Sequence, residues 1–78
     1  MRKKETRLII AFYGTHDAMS FEEFCLARDI PGRLIPLPGE ISAGCGLAWS
    51  APPESQEEMA AWLAEAGIRP QHLKVLTI

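Results

Sequence analysis

RLIPLPGEISAGCGLAWS, residues 33–50, is the stretch of sequence that decides the fold. It contains two short, mostly apolar runs, residues 33–37 and 46–50, separated by a loop rich in proline and glycine. Runs of this length between turn residues are typical of β-strands. Because Pro36 has no N–H for a strand ladder, the first run must lie at the edge of a sheet or at a strand end.

The residues before this stretch predict a strand and then a helix. Residues 8–13 form a continuous apolar run rich in β-formers, which suits a strand covered on both faces. After Gly14, Thr15 is the predicted N-cap, and Asp17 in the first turn complements the helix dipole. Pro31-Gly32 is expected to end this helix. Its buried stripe is predicted to be Ala18, Phe21, Phe24 and Cys25.

The residues after this stretch predict a second helix and a last strand. Residues 55–58 match the capping box S-x-x-E. Gly67 is the predicted C′ residue of the helix, with Ile68 as its hydrophobic partner, and residues 73–78 form the last strand. The apolar stripe of this helix, at i, i+3, i+4 and i+7, is Met59, Trp62, Leu63 and Ala66.

The resulting element order, β-α-β-β-α-β, predicts an α+β fold of the ferredoxin-like type. In this fold a four-stranded antiparallel sheet carries both helices on one face. Right-handed crossovers place strands 1 and 3 in the centre and strand 2 at an edge, which agrees with Pro36 in strand 2.

A chain of 78 residues makes one domain, which we assign to residues 8–78. Residues 1–7 form a basic N-terminal arm of charge +3, which leaves −5 for residues 8–78 out of a net charge of −2. This arm can contact nucleic acid or an acidic partner, or it can be a frayed, solvated terminus. The acidic body lacks a basic groove, which argues against nucleic acid as the main partner.

Composition excludes several other classes of protein. No stretch approaches the roughly 20 apolar residues of a membrane span, and the apolar run that follows the arm is too short for a secretory signal. We therefore expect a cytoplasmic protein without a membrane partner. Two cysteines are too few for a disulfide scaffold, and His16 and His72 lack zinc-finger spacing relative to them. No metal site is predicted, and no glycine-rich phosphate loop indicates a cofactor.

Cys45 is the candidate reactive residue, in a loop between Gly44 and Gly46. Strands 1 and 2 run parallel in the predicted fold, so this loop should lie where strand 1 leads into helix 1, beside Thr15 and His16. A thiol reacts as the thiolate. The helix N-terminus and backbone N–H groups of the glycine-flanked loop would favour that anion, and a protonated His16 nearby would add to the effect.

Each of these residues also has a structural interpretation. Cys45 begins a predicted buried strand and can equally be a core residue, and Cys25 lies on an apolar stripe and is interpreted as core. His16 can be a polar residue at a helix end, and His72 has no partner that the sequence identifies.

Three segments together resemble a known family: residues 12–18 (FYGTHDA), 34–38 (LIPLP) and 41–48 (ISAGCGLA). They resemble the small bacterial domains of the selenium/sulfur carrier protein-like family, and the likeness covers about residues 7–78. It implies that Cys45 holds a persulfide or selenide and that Ser42 and Gly46 belong to the same motif. Where an arginine commonly follows the second proline in that family, this chain has Gly39, which removes a cationic partner for an anionic sulfur.

The resemblance thus implies a carrier protein rather than an enzyme with turnover. Cys45 would accept sulfane sulfur or selenium from a donor protein and pass it to an acceptor protein. The alternative is a non-catalytic binding or regulatory module in which Cys45 is structural. Such a module would use the open sheet face or an edge strand and could form a homodimer. A third hypothesis is a redox switch through a Cys25–Cys45 disulfide, which requires Cα atoms within about 7 Å.

Overall fold

The computed structural model describes residues 5–77. The elements found there are β1 (Thr6–Ala11), α1 (Thr15–Ala27), β2 (Arg33–Pro36), β3 (Leu47–Ala51), a 3-10 turn (Pro53–Ser55), α2 (Gln56–Ala66) and β4 (His72–Thr77). The strand order is β2-β3-β1-β4, and each neighbouring pair is antiparallel. The predicted α+β ferredoxin-like fold is confirmed, with β1 and β3 central and the Pro36 strand at an edge. The first four residues of the predicted arm and Ile78 lie outside the described residues.

The first strand is displaced by two residues from its predicted position. It begins at Thr6 because Thr6 and Arg7 pair with Thr77 and Leu76 of β4. It leaves the ladder after Ala11, so the predicted strand residues 12 and 13 connect β1 to α1 instead. Arg7 of the predicted arm is therefore a sheet residue.

The start of each helix differs from the sequence prediction. Thr15 is the first residue of α1, the N-cap position belongs to Gly14, and no side chain caps this end. Ser55 occupies the N-cap position of α2, but its hydroxyl donates to the carbonyl of Pro52 at 2.7 Å instead of capping the helix. The predicted capping box is therefore not formed, because the preceding 3-10 turn uses the hydroxyl.

The helix ends follow backbone chemistry. Gly67 ends α2 with φ of 74°, and the N–H of Ile68 donates to the carbonyl of Leu63 at 2.9 Å, which confirms the predicted C-terminal motif. The end of α1 comes earlier than Pro31. Asp29 adopts a left-handed φ of 57°, and the N–H of Ile30 donates to the carbonyl of Cys25 at 2.9 Å. Asp29 thus ends this helix in the way that Gly67 ends α2.

Two apolar clusters cover the two faces of the sheet. The main core lies between the sheet and the helices, and the predicted stripe of α1 contributes to it, with Phe24 half-buried and the other three side chains fully buried. The second cluster lies on the opposite face, where Ile41 of the β2–β3 loop is only 5% exposed. The loop that carries Cys45 therefore folds back over the sheet. The strand residues under it are Ile9, Ala11, Ala48, Ile35 and Leu76.

No helix within residues 5–77 combines the length and the apolar character needed to cross a lipid bilayer.

Burial of Cys25 predicts a loss of stability at high pH. Burial raises the pKa of the Cys25 thiol from 9.0 to about 11. The unfolded chain therefore releases this proton at a lower pH than the folded chain does. Stability that is present below pH 9 is lost as the pH rises from 9 to 11. We expect the free energy of unfolding of the wild type to fall across this window by about 2 kcal/mol more than that of Cys25→Ala. Urea denaturation of both proteins across this range measures the difference, and parallel pH profiles would contradict it.

Candidate functional site

Cys45 lies two residues before β3, at the margin of the main core, with its side chain only 2% exposed. Its thiol donates to Thr15 Oγ1 over 3.8 Å, and the N–H of Leu47 donates to Cys45 Sγ over 3.4 Å. Thr15 is the first residue of α1. The structure thus brings the sulfur to the first turn of the helix, where the topology predicted it.

Two side chains at the start of β4 hold the loop in place: Gln71 immediately precedes the strand, and His72 is its first residue. Gln71 Oε1 accepts a hydrogen bond from the N–H of Gly44 at 3.0 Å. His72 Nε2 lies 2.9 Å from the carbonyl oxygen of Ser42, and because a carbonyl can only accept, Nε2 carries the proton in this contact. We call these two hydrogen bonds the loop latch. Gln71 is itself fixed, since its N–H donates to the carbonyl of Ala11 at 2.8 Å.

Gly44 allows the loop to lie directly on the β1–α1 connection. A Cβ at position 44 would stand 2.7 Å from the carbonyl oxygen of Tyr13, which is closer than real Cβ contacts. By contrast, a Cβ at Gly46 would meet nothing within 4 Å. The loop can therefore tolerate a side chain at one of the two glycines that flank Cys45 but not at the other.

The N–H of Gly44, one of the groups of the predicted anion nest, is engaged by a side chain. The N–H of Gly44 is used by Gln71, and Gly46 contributes its carbonyl, which accepts from the N–H of Leu37 at 2.9 Å. The backbone N–H that does reach Cys45 Sγ belongs to Leu47. Sequence reasoning missed this group because Leu47 was interpreted only as a strand residue.

The other predicted site residues lie near the site without contacting the sulfur through hydrogen bonds. His16 is exposed at the start of α1, and Cys45 Sγ forms its hydrogen bonds with Thr15 and Leu47 instead. Ser42 contributes its carbonyl to the loop latch rather than its hydroxyl to Cys45. Gly39 is exposed, and a Cβ there would meet nothing within 4 Å.

The two cysteines do not form a disulfide. Cys25 lies in the last turn of α1, whereas Cys45 contacts Thr15 in the first turn. Ten helical residues separate Thr15 from Cys25, a rise of about 15 Å. This arrangement does not suit a bond that needs Cα atoms within about 7 Å. Within residues 5–77, no three His, Cys, Asp or Glu side chains lie together as a metal-binding group.

The contacts of Cys45 place the sulfur between one acceptor and one donor. The thiol donates to Thr15 and accepts from the N–H of Leu47, beside the N-terminus of α1. At 2% exposure, however, this sulfur reaches another molecule only when the loop opens.

These features define a class of protein: a small α+β ferredoxin-like domain with one thiol held between the first turn of a helix and the start of a central strand. The family model described as "Putative Se/S carrier protein-like" matches residues 7–74. The chain belongs to this family. No curated protein and no solved structure matches the chain at a significant level.

Proposed function

We propose that the protein carries sulfane sulfur or selenium on Cys45, as a persulfide or selenide, from a donor protein to an acceptor protein. The observation that carries this proposal is the position of Cys45 Sγ between the Thr15 hydroxyl and the Leu47 N–H, at the first turn of α1. The family description supports the same chemistry. A reducing compartment such as the cytoplasm fits the proposal, because it keeps both cysteines as thiols.

The transfer step needs no reagent other than the donor. The Cys45 thiolate attacks the terminal sulfur of a donor persulfide, R–S–SH, and a new S–S bond forms between Cys45 Sγ and that sulfur. The S–S bond of the donor breaks, and its electron pair leaves on the donor as R–S⁻, which takes up the proton released by Cys45. One thiol is thereby oxidised to a persulfide while the donor persulfide is reduced to a thiol. Delivery to the thiol of an acceptor is the same step in reverse, and a selenium atom takes the place of the terminal sulfur in the selenium case.

Burial of Cys45 gives this carrier a closed resting state. The loop latch and the packing of Ile41 hold the loop against the domain. Opening of the loop exposes the sulfur for attack, and closing shields the loaded persulfide from water and from other thiols. Two hydrogen bonds and a few buried side chains hold the loop, so we expect it to open at a lower free-energy cost than global unfolding, and the cycle does not require the domain to unfold.

Sulfur loading tests the proposal directly. The protein is incubated with a cysteine desulfurase and cysteine, and its intact mass is then measured. We expect wild type and Cys25→Ser to gain the mass of one sulfur atom and Cys45→Ser to gain none, because only Cys45 lies at the helix N-terminus. Cys25→Ser is the matched control, since it removes the other thiol of the chain. Absence of added sulfur on the wild type, or equal addition to Cys45→Ser, would refute the carrier function.

The near-complete burial of Cys45 favours a second candidate, a binding or regulatory module in which Cys45 is structural. In that case the native thiol would resist both persulfide and iodoacetamide, and Cys45→Ser would retain partner binding. The same loading experiment separates the two candidates, because a structural Cys45 gains no sulfur.

A further inference from the structure

Charged side chains are divided between the two sides of this domain. Within residues 5–77, most carboxylates lie in or next to the two helices: Asp17, Glu22, Glu23, Asp29, Glu54, Glu57, Glu58 and Glu65. The strands, in contrast, carry three basic residues, Arg7, Arg33 and Lys74, and no acidic residue. The domain therefore has an acidic helical side and a basic sheet.

The three basic residues share the face of the sheet that points away from the helices. Arg33 pairs with Ser50, Ser50 pairs with Ile9, and Ile9 pairs with Lys74, so these four residues form one row across the sheet. Ile9 belongs to the apolar cluster opposite the helices, which identifies the face. Three strand spacings separate Arg33 from Lys74, a distance of about 14 Å. Arg7 lies on the same face of β1, two residues before Ile9. We call Arg7, Arg33 and Lys74 the basic sheet face.

These cations are available to an external partner. Arg33 and Lys74 are exposed, and Arg7 is half-buried with its Nε donating to Ser50 Oγ at 3.0 Å, which orients the guanidinium across the sheet. Among the described residues, the one ion pair joins Arg28 to Glu65 on the helical side. The basic sheet face thus has no carboxylate partner within that part of the chain.

The basic sheet face also adjoins the loop that carries Cys45. In the next row of the sheet, Ala11 pairs with both Ala48 and His72. His72 is part of the loop latch, and the apolar cluster that includes Ala11 and Ala48 is covered by Ile41 of the loop. A molecule docked on the basic sheet face therefore reaches the side of the loop and the latch that closes it.

We propose that the basic sheet face docks an acidic surface of the sulfur donor protein, beside the loop that carries Cys45. The charges of this face support docking of an acidic surface, and the identity of the partner as the sulfur donor rests on the proposed function. A protein fits better than a nucleic acid, because single-stranded nucleic acids are held by aromatic side chains that stack on bases. The strand residues of this face include no aromatic side chain, and Trp49 points into the helical core.

The rate of sulfur loading tests this proposal. Arg33→Gln/Lys74→Gln removes two charges from the basic sheet face and leaves the Arg7–Ser50 contact in place. Gln56→Glu/Ala60→Glu is the matched control, because it changes the net charge equally but at exposed positions of α2. With a cysteine desulfurase as donor, we expect the first variant to load about tenfold more slowly than wild type at low salt, with a weaker salt dependence, and the control to load like wild type.

A low-mass donor separates this proposal from the proposed function. Cysteine persulfide needs no docking surface, so it should load wild type and both variants at equal rates. If the desulfurase loads Arg33→Gln/Lys74→Gln as fast as wild type, the docking surface is refuted while the carrier function stands. If neither donor loads the wild type, the carrier function is refuted, and the assignment of the docked partner as the sulfur donor is refuted with it. A fluorescent single-stranded DNA tests the other class of partner. If wild type binds it and Arg33→Gln/Lys74→Gln does not, with sulfur loading unchanged, the partner of this face is a nucleic acid and not a protein.

Discussion

Phe21→Ala is expected to remove most of the free energy of unfolding of the protein at room temperature. The Phe21 ring is fully buried and lies 6.0 Å from the ring of Phe12, 5.6 Å from Trp49 and 6.1 Å from Phe24, measured between centroids. It thus joins α1 to β3 and to the β1–α1 connection. Truncation of a buried phenylalanine costs about 3–5 kcal/mol, and small domains have little more than about 5 kcal/mol of stability in total.

Leu26→Ala provides the control within the same helix. Leu26 is 72% exposed, so its replacement should change the free energy of unfolding by no more than about 0.5 kcal/mol. Circular dichroism with urea denaturation measures both variants. A Phe21→Ala protein that keeps its helical signal and unfolds within about 1 kcal/mol of wild type would show that the core repacks around the missing ring.

The architecture was predictable because its determinants are local in the sequence. Proline chemistry placed the strand with Pro36 at an edge, and the right-handed crossover rule then fixed the order of the remaining strands. The positive φ of Gly67 is a property of the residue type and was predicted correctly. The end of α1 was not predicted correctly, because Asp29 adopts the left-handed conformation that glycine usually adopts at a helix end.

The contacts of the candidate site were predictable only in part. Topology alone brought the loop of Cys45 to the first turn of α1, since that follows from the strand directions. The loop latch could not be predicted, because Gln71 and Gly44 are 27 residues apart and no local pattern connects them. The packing of Ile41 against the open sheet face was missed for the same reason, since it depends on how the whole loop folds back.

Gly44→Ala is expected to expose Cys45, since the added methyl group would stand 2.7 Å from the carbonyl oxygen of Tyr13. Because the contact is made with a backbone carbonyl, no side-chain rotation can relieve it. The loop therefore has to move away from Tyr13, which strains the Gly44–Gln71 hydrogen bond. A shift of about 1.4 kcal/mol toward the open loop raises the open population tenfold. We therefore expect Cys45 to be alkylated by iodoacetamide at least about tenfold faster in Gly44→Ala than in wild type.

Gly46→Ala is the matched control for this prediction, because it adds the same methyl group on the other side of the same cysteine, where nothing lies within 4 Å. It should leave the alkylation rate near that of wild type. Mapping the alkylated residue by mass spectrometry distinguishes local opening, which exposes Cys45 alone, from global unfolding, which exposes Cys25 as well. Equal rates in the two alanine variants would mean that loop contact with Tyr13 does not control access to the sulfur. In that case the closed resting state proposed for the carrier would have to depend on the packing of Ile41 rather than on the latch.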